Sequence, residues 1–270
     1  MKTIVNILFV IFFIVACTLF ISCDSETVTG IDDEVSNTDF VASESFYFSI
    51  AVQSKTMFSI TGINGNITIN GVSNTDSVII TGQKSVGSES MADAQASLQN
   101  LNVIVRDQSN EVNVETDQPE ETGGRNYNVN YQVTLPKDFL ITAANVNGVV
   151  SVDSINNTVN TANVNGQILL TDIVGSSAVS LVNGQIVAKI TLPLNGTIAI
   201  ANVNGNIALE IPTNTSAEFS AGLVNGNIII TNLSLLNQVS SNTSVTGTLG
   251  NGEGTISLTN VNGNISASGF

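Results

Sequence analysis

A five-residue unit, Val/Ile-Asn-Gly-x-Ile/Val, recurs seven times, beginning at Ile63, Val146, Val164, Val182, Val203, Val224 and Val261. Its turn pairs are Asn64-Gly65, Asn147-Gly148, Asn165-Gly166, Asn183-Gly184, Asn204-Gly205, Asn225-Gly226 and Asn262-Gly263. From Asn147 onward the steps between successive pairs are 18, 18, 21, 21 and 37 residues, the last close to two ordinary ones. A period near twenty residues is the mark of an architecture in which short units stack and share one core.

Asn-Gly between apolar residues ordinarily signals a two-residue β-hairpin, because both residues tolerate positive φ. Side-chain parity points elsewhere. Ala162, Val164, Gly166, Ile168 and Leu170 fall on even positions, with Asn163, Asn165 and Gln167 on odd ones. A hairpin would split the apolar set between two faces. A chain that continues through Asn-Gly with a bend would keep Val, Ile and Gly inside and Asn outside. The expected fold is therefore all-β, a β-solenoid-like stack of 18–21-residue rungs, with a hairpin meander as the alternative. Rungs spaced about 4.8 Å apart would make a rod roughly 30–35 Å long after Phe139. The outward Asn side chains are positioned to form amide ladders along it.

Residues 1–22 read as a secretory leader, with Lys2 followed by an apolar run from Ile4 to Ile21. Ser22-Cys23 at its end resembles the lipobox of bacterial lipoproteins. That resemblance implies cleavage before Cys23 and lipid attachment to it, although Phe20 stands where Leu is usual. An uncleaved anchor is the alternative, since the run approaches the length of a spanning helix. Residues 23–45 are polar and acidic (Asp32, Asp33, Glu34, Asp39, Glu44) and read as a flexible tether. Cys17 lies in the leader, so no disulfide framework is available to the domain at 46–270. Seven basic against 22 acidic residues give a net charge of −15, which speaks against nucleic acid as a partner.

Strands are expected at Phe46–Val52, Met57–Ile60, Ile67–Ile69, Ser77–Ile80, Asn102–Arg106, Glu111–Glu115 and Tyr127–Leu135. A single short helix is expected within Ser90–Leu101, where Met91, Ala94, Leu98 and Leu101 share a face. Ser90 followed by Asp93 forms its start signal. Asp117–Gly124 reads as a loop.

The Val-Asn-Gly-x-Ile units, the strand ending Val133-Thr134-Leu135-Pro136, and Ile207-Ala208-Leu209-Glu210-Ile211-Pro212 followed by Ala217 and Phe219 together resemble the bacterial family of candidate adhesins known as toastrack proteins. The resemblance spans residues 46–270. It implies a β-solenoid-like stack carried by a surface lipoprotein or a membrane-anchored protein, with a role in adhesion or envelope signalling. The family has no catalytic residues to carry over.

The residues themselves narrow the chemistry. There is no His and no Trp, which removes Ser–His and Cys–His catalysis and His-based zinc sites. Asp153 and Asp172, 19 residues apart, are the one acid pair placed to meet on neighbouring rungs, as a calcium or acid–base site or as two exposed loop acids. Tyr47, Tyr127 and Tyr131 precede the repeats, where only Phe139, Phe219 and Phe270 are aromatic; those three read as core or end caps, and no glycan platform is evident. Asp76-Ser77-Val78 and Asp153-Ser154-Ile155 resemble Asp-Ser/Thr-aliphatic glycosylation sites of some exported Bacteroidetes proteins. The expected protein is a non-enzyme without cofactor or metal, exported and lipid-anchored to the envelope, with the outer membrane favoured. Its expected partners are the membrane through the lipid and protein or glycan at the surface. The competing expectation is a sensor or scaffold that docks a partner at a solenoid end, placed by chain order at the Asn262 rung, near Phe270. A polysaccharide-active β-helix enzyme ranks last.

Overall fold

Each Asn-Gly unit turns the chain without reversing it. In the computed structural model, which describes residues 38–270, β8 (Leu140–Asp153), β9 (Val159–Val174) and β10 (Ser177–Thr191) each run unbroken through their Asn-Gly pairs. The other four units split at the bend into strand pairs: β2 (Met57–Thr61) with β3 (Ile67–Val72), β11 (Thr197–Asn204) with β12 (Ile207–Ile211), β13 (Ala217–Asn225) with β14 (Ile228–Thr231), and β17 (Gly254–Asn262) with β18 (Ile265–Gly269). Neighbouring units pair in parallel, Asn on Asn and Gly on Gly. The expected β-solenoid-like stack is the observed fold, and the hairpin reading falls.

The bend requires glycine for a steric reason. The seven repeat glycines have φ between +114° and +138°. A Cβ on Gly184 would lie 1.6 Å from the carbonyl oxygen of Gly166 one rung below. No side chain fits a column where carbonyls approach so closely.

Two arms per rung fold one continuous 18-stranded sheet into two faces, sheet I and sheet II, which share β8, β9 and β10. Sheet I, made of first arms, runs β5 (Asn102–Asp107), β6 (Glu111–Asp117), β2, β8, β9, β10, β11, β17, β13, β16 (Ser244–Leu249), β15 (Leu235–Ser240). Sheet II, made of second arms, runs β1 (Phe40–Ala51), β4 (Ser77–Ser88), β7 (Asn126–Pro136), β3, β8, β9, β10, β12, β18, β14. The core lies between them in columns. Phe58, Ile141, Val159, Ser177, Ile198, Ile256 and Phe219 form one column of sheet I. Ile67, Val150, Ile168, Ile186, Ile207, Ile265 and Ile228 face them from sheet II. A rung alone could not bury these side chains; its neighbours supply the other walls.

Three expectations are corrected by the structure. The parity assignment fails on the first arm, where Asn163 is buried at 1% exposure while Val164 is only half-buried. Asn165 and Gly166 are both exposed, so the in–out alternation slips by one residue at the bend and flips the preceding arm. Gly therefore does not sit inside; it is demanded by backbone contact instead. The rung order is not the chain order either. Asn262 pairs with Asn204 on one side and Asn225 on the other, so β17 and β18 insert between the two preceding units. The end of the stack is consequently the Asn225 rung, and Phe270 caps no open end: its N–H donates to Ile211 O and its carbonyl accepts from Thr213 N–H. Finally, β1 begins at Phe40, six residues before the expected Phe46 and inside the segment read as the end of the tether, where it pairs antiparallel with β4 from Phe40↔Ser88.

At the other end the fold closes differently. The Asn64 unit stacks on the Asn147 unit and is covered by β7 on sheet II and β6 on sheet I. Helix α1 (Met91–Leu98) packs against β1 and β4; the Ser90 side chain caps it by accepting from Asp93 N–H. Ala94, Leu98 and Leu101 of the expected face are buried, while Met91 is exposed.

Candidate functional site

Seven repeat asparagines form one continuous amide column along the bend edge. Asn147 Nδ2 donates to Asn64 Oδ1 at 2.7 Å, Asn165 to Asn147 at 2.9 Å, Asn183 to Asn165 at 2.9 Å and Asn204 to Asn183 at 2.8 Å. Asn262 then donates to Asn204 and Asn225 to Asn262, both at 2.9 Å. The column starts at Asn64, whose Nδ2 donates to Tyr127 O at 3.1 Å. Every donor points toward the Asn64 end, so the amide dipoles align and reinforce one another. The expected Asn ladder is present, with its polarity fixed.

A second asparagine column, buried rather than outward, holds the bends from inside. Asn145, Asn163, Asn202 and Asn260 donate to the carbonyls of Gly65, Gly148, Gly184 and Gly205, one rung below, at 2.8–3.0 Å. Leu181 and Leu223 occupy the same register in two of the three remaining rungs and are also buried. These asparagines were missed because parity placed them outside. The exchange of Asn for Leu at one repeat position was the signal available, since a position that accepts Leu is an interior one.

Beside the ladder, on the outer side of sheet I, stands a column of repeat valines. Val146, Val224 and Val261 are exposed and Val164, Val182 and Val203 are half-buried. Two positions before each valine that face carries small uncharged side chains in register, Ala144, Ala162, Ser180, Ala201, Thr259 and Gly222. The outcome is a flat strip repeating at strand spacing, about 4.8 Å.

The acidic candidates do not converge. Asp153 lies opposite Thr171, and Asp172, on a bulge with φ +49°, meets Lys189 Nζ at 3.5 Å. Among the described residues, no three His, Cys, Asp or Glu side chains gather to hold a metal ion. Asp76 lies beside Ser77 at the start of β4, and Ser154 takes φ +58° directly after β8. Tyr127 and Tyr131 are buried, whereas Tyr47 stands 65% exposed on β1. Phe139 and Phe219 are core, and Phe270 is half exposed with Lys189 Nζ 4.8 Å above its ring. The surface depressions are shallow, about 400 Å³ beside Glu218 and Thr248 and about 520 Å³ beside Phe46 and Gln132. Cys23 and the leader lie outside the described residues.

No known family profile and no curated protein matches the chain. Among solved structures it is similar to a candidate cell-adhesion protein from Clostridium sporogenes ATCC 15579, at 11% identity and TM-score 0.44, over 85% of this chain and 100% of that one. It is also similar to a candidate adhesin from Bacteroides fragilis NCTC 9343, at 10% identity and TM-score 0.28, over 84% of this chain and 97% of the other.

Proposed function

We propose that this chain is a non-catalytic, lipid-anchored module of the bacterial envelope that binds through the outer face of sheet I, as an adhesin or surface structural element. The observation that carries the reading is the flat, uncharged strip of small side chains flanked by the valine column and the Asn ladder. Such a strip presents many equivalent weak contacts, which suits repetitive surface ligands better than one discrete ligand. The leader ending in Ser22-Cys23 supplies export and attachment. Two variants test the reading. Cys23→Ser should move the protein from the membrane fraction to the soluble fraction. Ala162→Lys with Ala201→Lys, at unchanged thermal unfolding, should reduce adherence of cells that display it. Unchanged adherence would overturn the assignment of this face.

One observation favours a second reading, a scaffold or sensor that docks a partner at the stack end. Among the described residues β14 pairs only with β18, leaving its outer edge open, and Ile229 on it is 51% exposed. No Lys, Arg, Asp or Glu occurs between Glu218 and Glu253, so that edge lacks the charges that usually guard one. Ile229→Lys would abolish partner capture under this reading and leave adherence through sheet I intact.

A further inference from the structure

Asn-Gly is the dipeptide most prone to cyclise, because the glycine amide nitrogen meets no side-chain hindrance in reaching the asparagine Cγ. This chain carries seven such pairs in its repeats and others at Asn70, Asn195 and Asn251. The stack restrains the nucleophile almost everywhere. Gly65, Gly205 and Gly263 donate their N–H to the carbonyl of the next rung's Asn at 2.8–2.9 Å. Gly148, Gly166 and Gly184 lie within the continuous paired strands β8, β9 and β10. Outside the repeats, Gly196 N–H is held by Pro193 O at 3.0 Å and Gly252 N–H by Leu249 O at 3.1 Å. Gly71 sits inside β3, paired with Leu135 of β7.

Gly226 is the exception. It belongs to the last rung, and the next rung, whose Asn carbonyl would receive its N–H, does not exist; among the described residues that N–H meets no acceptor. Asn225 makes one ladder bond where interior members make two, donating to Asn262 while its Oδ1 accepts none among the described residues. Asn225, Gly226 and Asn227 are all exposed, so water reaches the site.

We propose that Asn225-Gly226 is a self-modification site, the position at which the folded protein deamidates. The Gly226 nitrogen bonds to Asn225 Cγ. The Cγ–Nδ2 bond breaks, and ammonia departs with the proton lost from the Gly226 N–H. Water then adds to one of the two carbonyls of the succinimide ring. Opening one way leaves an ordinary aspartyl residue in place of Asn225; opening the other gives an isoaspartyl linkage that lengthens the main chain by one carbon. Either product removes the Nδ2 donor to Asn262 and places a carboxylate on an edge that carried no charge, a change that guards it against strand addition. The modification therefore closes the docking end of the second reading as the protein ages, although the chemistry itself does not depend on that reading.

The full-length protein is held in mildly alkaline buffer, native and in denaturant, and mapped by mass spectrometry after cleavage at glutamate. The fragment between Glu218 and Glu253 also carries Asn251, so fragmentation must locate the change. In denaturant all the Asn-Gly pairs should convert at similar rates. In the native protein Asn225 should stay within a few-fold of its unfolded rate, and Asn165 and Asn183 should slow by on the order of a hundredfold or more, since they react only after local opening. Native conversion at Asn225 no faster than at Asn165, or first at Asn251, overturns the proposal. A second measurement is independent of mapping: Asn225→Ser should remove most native-state ammonia release, and release unchanged by that substitution would also overturn it.

Discussion

Asn183 donates its side-chain amide to Asn165 Oδ1 at 2.9 Å across one rung, and Asn183 Oδ1 in turn accepts from Asn204 at 2.8 Å. Each interior asparagine is thus donor and acceptor at once. Because the side chains are exposed, water can replace a lost bond, so each contributes a net stabilisation of about 0.5–1.5 kcal/mol. Asn183→Ala, which removes two bonds, should cost about 1–2 kcal/mol. Asn225→Ala, at the open end, removes one and should cost about half as much. Denaturant midpoints of the two variants at equal m-value check the ratio; equal losses would mean that the ladder is not the source.

The glycine column gives a sharper contrast. Gly184→Ala combines φ +138° with a Cβ at 1.6 Å from Gly166 O, and no local adjustment relieves both. A loss of about 3 kcal/mol or more is expected. Gly222 in β13 has no positive φ, and the nearest atom to a Cβ there is Thr243 O at 4.0 Å. Gly222→Ala should be neutral or gain up to about 1 kcal/mol by restricting the unfolded chain. Thermal unfolding of both variants decides whether bend geometry or glycine content matters.

Thr161 lies in an apolar column between Ala143 and Val179, and its buried Oγ1 has no hydrogen-bond partner among the described residues. Thr161→Val keeps the shape and removes an unmet desolvation cost. It should stabilise the domain by about 1 kcal/mol. A lower midpoint in urea would show that the hydroxyl is satisfied in solution.

Two groups contribute a pH dependence to stability. The Arg125 guanidinium, with help from the Ser88 hydroxyl, holds the Asp93 carboxyl at about 2, below the ordinary 3.8. Its contribution is present above pH 3.8 and is lost as pH falls through about 2. Arg125→Met should return the carboxyl toward its ordinary range, measured by NMR titration, and erase that part of the acid dependence. At the alkaline side, burial raises the Tyr131 phenol from 10.0 to about 12, while its bond with Thr116 Oγ1 opposes the shift. Stability from this group is complete below pH 10 and is lost through about 12. Tyr131→Phe should flatten the alkaline limb of the stability profile.

The repeat made the stack and the outer Asn ladder legible, since a regular step near twenty residues with Asn-Gly at a fixed place leaves few other solutions. The helix start at Ser90 was equally local, because its cap lies within one turn. The candidate surface was legible only in part. Asn165 was placed correctly outside, but Val164 and Asn163 were exchanged, as the sequence pattern carries no record of the pleat slipping at a glycine with φ +129°.

What the sequence determined by itself is the rung: two short apolar arms joined by a bend that only glycine can make. What the tertiary structure decided is the order and the ends. The Asn262 unit slots beneath the Asn225 unit because the β15–β16 hairpin, formed between them in the chain, takes the outer edge of β13 by antiparallel pairing. Rungs with nearly identical inner faces fit any neighbour almost equally well, so their sequence cannot rank one stacking order above another. Only the competition for a single strand edge, settled in the folded whole, chooses between them.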